Sequence, residues 1–101
     1  MTRVGNNAFQ GCSSLQHIVL PAKVKTIGNK AFYNCKNLRY IQVNTKKLIA
    51  KNIGKNAFGK GFIAPRIKSD KSKWYSYRNI FTTKGMSNHA LYVIEPVKLI
   101  L

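Results

Sequence analysis

Two cysteines, two histidines and two carboxylates are the reactive side chains of this 101-residue sequence. Zinc needs ligands at close, regular spacings, and neither His17 nor His89 stands at such a spacing from Cys12 or Cys35. Acid–base or nucleophilic chemistry needs a second group in reach of the first. No nearby histidine or cysteine forms an acid–base or nucleophile pair by spacing with Asp70 or Glu95, and Asp70 reads better as a helix-cap residue. Gly59-Lys60-Gly61 and Lys84-Gly85 lack the glycine and lysine spacing of a phosphate loop. No catalytic, metal or cofactor site is therefore expected, and the sequence does not read as an enzyme.

The cysteines instead share a context. Gly5-Asn-Asn-Ala8-Phe9-x-x-Cys12-x-x-Leu15-x-x-Ile18-x-Leu20-Pro21 is followed by Gly28-Asn-Lys-Ala31-Phe32-x-x-Cys35-x-x-Leu38-x-x-Ile41-x-Val43. Each matched position is offset by 23 (28 − 5, 32 − 9, 35 − 12, 41 − 18). A third copy opens at Gly54-Lys-Asn-Ala57-Phe58, 26 positions after Gly28, so three residues are inserted within 44–52. In it Gly61 replaces the cysteine, Ala64 the leucine, and Ile67 keeps the isoleucine. A fixed period of this size marks stacked repeats, each a unit that buries its apolar side only against a neighbour. Stacking predicts ladders of Phe9 on Phe32 on Phe58, Cys12 on Cys35, Leu15 on Leu38 and Ile18 on Ile41. Equivalent cysteines in stacked coils point the same way, which makes a disulfide awkward. Reduced, buried thiols are expected.

Leu15-x-x-Ile18-x-Leu20 and its copy read as a bend and a short strand whose alternate residues point inward. The Gly28–Cys35 stretch suits a turn plus one or two helical turns. Strand 64–69 should still stack. The period then changes: Trp74, Tyr77 and Ile80/Phe81 recur at helical spacing. Ser69, Asp70 and Ser72 offer N-cap oxygens, and Gly85 a C-terminal stop. The reading is an α/β repeat solenoid. Residues 1–69 hold about 2.5 repeats, and residues 70–101 form a closing cap with a helix near 71–84 and a strand near 90–94. Val97–Leu101 would be a partner strand or final edge. The aromatic stripe at 74–81 is assigned to covering the stack rather than to a ligand.

The phrase IGNKAFYNCKNLRYIQV resembles the BspA-like leucine-rich repeats, over about residues 4–69, with Gly, Ala-Phe, Cys, Leu and Ile in register twice. The resemblance implies a right-handed leucine-rich-repeat coil in a bacterial surface or secreted protein. It further implies an adhesion or interaction role, an extracellular location and no catalysis. The chain is expected to begin mid-repeat, as the C-terminal part of a longer protein. It shows no signal peptide, and no stretch nears the roughly 20 apolar residues of a membrane span.

If Ile18 and Leu20 point inward, the outward ladders are His17–Tyr40–Arg66 and Val19–Gln42–Lys68, with Gln16, Arg39 and Pro65 at the bend. The candidate binding face is His17, Arg39, Tyr40, Gln42, Arg66 and Lys68. Eighteen Lys+Arg against two Asp+Glu give a formal charge of +16. That excess reads either as a solvated surface or as the footprint of an anionic partner. The expected partner is a protein, or an anionic polysaccharide or cell-wall polymer, at the strand face. Nucleic acid is the weaker reading, since charge without a reading motif supplies only nonspecific binding, and a purely structural end cap of the array is the other alternative. The open first coil, with Phe9 and Leu15, would also offer a surface for self-association.

Overall fold

The computed structural model describes residues 2–59 and 65–94. Its elements are β1 (Arg3–Val4), β2 (His17–Leu20), β3 (Thr26–Ile27), β4 (Tyr40–Val43), β5 (Arg66–Ser69), α1 (Trp74–Thr83) and β6 (Leu91–Ile94). All strand pairings are parallel. β2, β4, β5 and β6 form one sheet in that order, and β1 pairs with β3, which Ile53 extends by an isolated bridge. The registers follow the sequence period: Ile18 faces Ile41 and Ile41 faces Ile67. Residues one repeat apart are therefore neighbours in space.

The turn after each glycine is where expectation and structure differ. No helical turn forms over 28–35. Lys30 and Asn34 take positive φ (53° and 62°), as Asn7 and Asn56 do (58° and 54°), and this breaks any helical run. Alternate backbone N–H groups bond between coils instead, while Ala31 and Tyr33 bond back to Gly28 and Lys30 within the turn. Phe9 N–H donates to the Ala31 carbonyl (2.7 Å), Phe32 to Ala57 (2.8 Å) and Phe58 to Lys84 (3.0 Å). Gly28 and Gly54 are needed for approach: a Cβ at either would run into the backbone nitrogen of Asn6 or Asn29 in the adjacent coil. The carboxamides of Asn6 and Asn29 reach one coil on, accepting from Asn29 N–H (2.9 Å) and Lys55 N–H (2.8 Å).

The insertion lies between Val43 and Ile53 and carries a single 3₁₀ turn, Ala50–Asn52. Leu48 drops into the core, and buried Thr45 donates its hydroxyl to the Val24 carbonyl. Tyr77 of α1, fully buried, donates its hydroxyl to the Thr45 carbonyl (2.8 Å) and holds the loop from the other side. Burial raises the Tyr77 hydroxyl above its ordinary value.

The phenylalanine ladder is continuous. Phe9 and Phe32 stack at 5.3 Å, Phe32 and Phe58 at 5.7 Å, and Phe81 of α1 adds a fourth rung at 4.6 Å from Phe58. The offset from 58 to 81 is again 23. α1 thus occupies the turn position of a further coil, and β6 continues the sheet in parallel with β5. The helix begins at Trp74, later than its sequence cues. Ser69 is buried at the inward end of β5, and Asp70 accepts from Ser72 N–H (2.8 Å) and the Ser72 hydroxyl, capping the turn before α1. Those bonds hold the Asp70 carboxyl below its usual range. No side chain caps the helix itself. The C-terminal stop is at Gly85 (φ 96°): Met86 N–H bonds the Phe81 carbonyl (3.0 Å) and Gly85 N–H the Thr82 carbonyl (3.4 Å). Val97–Leu101 and the cysteine and leucine equivalents Gly61 and Ala64 lie outside the described residues.

Candidate interaction surface

Alternation along the strands decides which side chains reach solvent. In β2, His17 and Val19 are exposed while Leu20 is buried. In β4, Ile41 and Val43 are buried beneath half-buried Tyr40 and Gln42. In β5, Ile67 and Ser69 turn inward, leaving Arg66 exposed and Lys68 half-buried. Pairing then aligns the outward residues in two rows. The imidazole of His17 and the ring of Tyr40 stack at 4.8 Å and 7°, and Arg66 is the next residue in that row. The second row is Val19, Gln42 and Lys68, with Gln42 donating to the Asn44 side chain (3.0 Å). Arg39 is exposed at the bend, where its N–H bonds the Gln16 carbonyl and its carbonyl accepts from Arg66 N–H. Pro65 does not join the margin: it is buried, and its carbonyl accepts from Leu91 N–H.

Five of the six face residues, His17, Tyr40, Gln42, Arg66 and Lys68, therefore lie in two rows on one sheet surface, and Arg39 is exposed at the bend before β4. The rows also run further than the repeat predicted. Leu91 follows Arg66 and Val93 follows Lys68, both largely exposed. The signal for this was the short apolar run Leu91-Tyr-Val-Ile94, whose place in the stack is hidden because the helix before it interrupts the period. Asp70 is the single acidic side chain among the described residues, and it pairs with Lys46 (3.5 Å) in a small notch beside Gln42 and Lys68. The face itself carries cations and rings, and among the described residues the carboxylate that borders it is Asp70, at the Gln42 and Lys68 edge.

Beneath it stands the ladder. Phe32, Phe58, Cys35, Leu38 and Ile41 are buried, whereas Phe9, Cys12, Leu15 and Ile18 are only half-buried. Both thiols are free; Cys35 is buried as expected, whereas Cys12 is only half-buried. Cys35 donates to the Phe9 carbonyl (2.9 Å), and burial pushes its thiol pKa up. That favours the neutral thiol over the nucleophilic thiolate. No group of three or more His, Cys, Asp or Glu among the described residues could hold a metal ion.

The family model of the BspA type leucine-rich repeat region (6 copies) matches residues 1–91. The chain belongs to this family. The match runs beyond the two faithful repeats, through α1 to the first residue of β6. No curated protein and no solved structure gives a significant match. BspA-type repeats suggest a protein-interaction module and are generally surface or secreted. Among the described residues, no helix is long and apolar enough to cross a membrane.

Proposed function

We propose that this chain is a non-enzymatic adhesion or interaction module of a longer bacterial surface or secreted protein, and that its strand face binds an anionic host or cell-wall polymer. In this reading the stacked strands form a right-handed solenoid. Residues 1–69 supply the repeats and residues 70–101 close the array. The observation that carries the reading is the row in which His17 stacks on Tyr40 and Arg66 follows, beside Gln42 and Lys68. Flat rings offer a stacking surface, and guanidinium and ammonium groups bond sulfate, phosphate or carboxylate. Family membership supports the location.

Net charge alone would draw any polyanion, so the test must separate place from charge. Heparin and teichoic acid binding would be compared for Tyr40→Ala/Arg66→Ala/Lys68→Ala and for Lys36→Ala/Lys55→Ala, which removes the same number of charges elsewhere. The face variant is expected to lose about tenfold or more in affinity, and the control roughly the few-fold that lost charge predicts. Equal losses in the two would sink the strand face as the site.

A further inference from the structure

The aromatic stripe of α1 divides between two environments. Tyr77 and Phe81 are fully buried, whereas Trp74 is half-buried and Tyr75 is 62% exposed. The Trp74 and Tyr75 rings meet edge to face at 5.6 Å and both border an open groove of about 950 Å³ between α1 and β6. That volume is at the upper end of ordinary ligand sites, which span roughly 300–1,000 Å³. Covering the core explains Tyr77 and Phe81. It does not explain two large rings left at a groove wall.

Apart from Ala90, Leu91 and the Tyr92 ring, the remaining lining is polar, and it is free of carboxylates. Arg78 and Asn79 follow on α1, Asn88 lies across from them, and Tyr92 of β6 completes the wall. The Tyr92 hydroxyl oxygen is buried with no hydrogen-bond partner among the described residues. Nearby Thr82 spends its own hydrogen on the Arg78 carbonyl (2.7 Å). Burial pushes the Tyr92 hydroxyl up to about 12, against the opposing pull of Thr82 and of the Arg78 charge. A neutral phenol thus stands in the groove wall beside Thr82 and Arg78, its oxygen buried.

Sugars match this set of groups. The C–H face of a pyranose packs on an aromatic ring, planar amides bond neighbouring hydroxyls, and a guanidinium takes a carboxylate or sulfate through two parallel hydrogen bonds. Single-stranded nucleic acid also stacks on rings, but it needs a track of cations along the backbone, and the groove offers Arg78 alone. We propose that the groove between α1 and β6 is a second binding site, for an acidic oligosaccharide, with Trp74 and Tyr75 as stacking platforms and Arg78 on the acidic group. It shares only Leu91 with the extended strand face and stands independently of it.

Trp74 is the only tryptophan, so its emission reports this groove directly. Oligogalacturonate and heparin-derived oligosaccharides would be titrated into the full chain, with a neutral cello-oligosaccharide and a single-stranded DNA oligomer as comparisons. The acidic sugars are expected to shift Trp74 emission saturably and to shield it from acrylamide. Tyr75→Ala and Arg78→Ala, both exposed positions outside the core, are each expected to weaken that response by about tenfold. Tyr40→Ala/Arg66→Ala/Lys68→Ala should leave it unchanged. The proposal is overturned by a silent Trp74, by tighter binding of the DNA oligomer, or by emission already shielded from acrylamide in the free protein. Heparin binding lost in the strand-face variant while Trp74 stays silent would sustain the strand face and reject the groove.

Discussion

At the residue scale, one repeat position takes different weight in different coils. Phe32 is fully buried and stacks on a ring to either side, at 5.3 and 5.7 Å. Phe9 has the same sequence context but only one ring neighbour and is half-buried. Truncating a fully buried phenylalanine costs about 3–5 kcal/mol, through lost transfer energy and the cavity left behind. Phe32→Ala is therefore expected to lower stability by about 3–5 kcal/mol in urea unfolding, and Phe9→Ala by roughly half as much. Equal effects would mean that the rungs are not graded by burial. The rungs themselves were legible, because a 23-residue offset places equivalent side chains in line. Their unequal burial was not, since it depends on what covers each coil. Tyr77 shows the same limit: helical spacing predicts an inward ring, while its bond to Thr45 depends on an inserted loop that follows no period.

At the element scale, glycine does different work at different points of the stack. Gly28 and Gly54 each open the turn of a repeat, where a local reading of the motif assigns them a tight backbone bend. Gly28 and Gly54 serve close approach between coils, and Lys30, Asn34 and Asn56 adopt the left-handed conformations. Distances between coils cannot be read from a local motif, which is why that assignment differed. Gly85 carries both demands at once. It has φ of 96° at the end of α1, and a Cβ there would lie 2.5 Å from the Gly59 Cα. Gly11 has φ of 72° with nothing within 4 Å. A left-handed conformation costs a residue with a Cβ about 1–2 kcal/mol. A backbone collision adds roughly 1–3 kcal/mol more. Gly11→Ala should thus cost about 1 kcal/mol and Gly85→Ala about 3 kcal/mol or more, read from their urea midpoints. Similar small losses would show that the α1 turn can move off Gly59. The helix and its glycine stop were visible in the sequence. The parallel docking of β6 beyond it was not, because α1 interrupts the period on which the other strands were aligned.

At the scale of the whole molecule the dominant quantity is charge. Eighteen Lys+Arg face two Asp+Glu, and Lys46–Asp70 is the single salt bridge among the described residues. Two like charges roughly 10 Å apart in water repel by about 0.4 kcal/mol. Folding brings many such pairs to that range. The Debye length is about 30 Å at 0.01 M salt and about 10 Å at 0.1 M, so low salt leaves most of the repulsion unscreened. Salt should then act on stability and on binding with opposite signs. For the free protein, going from about 0.01 to 0.5 M sodium chloride would relieve on the order of 1–2 kcal/mol. That is a rise in Tm of roughly 5–15 °C for a domain of this size. A bound polyanion stabilises the fold by about 2.7 kcal/mol when present at a hundred times its Kd. Its contacts with Lys and Arg weaken as salt rises. Thermal unfolding with and without heparin should therefore give two curves that start far apart at low salt and converge at high salt, the free protein climbing toward the complex. A flat curve for the free protein would show that the cations are spaced widely enough for water to screen them. The excess charge would then be a solvated surface, and affinity would rest on the geometry of the strand face and the α1 groove.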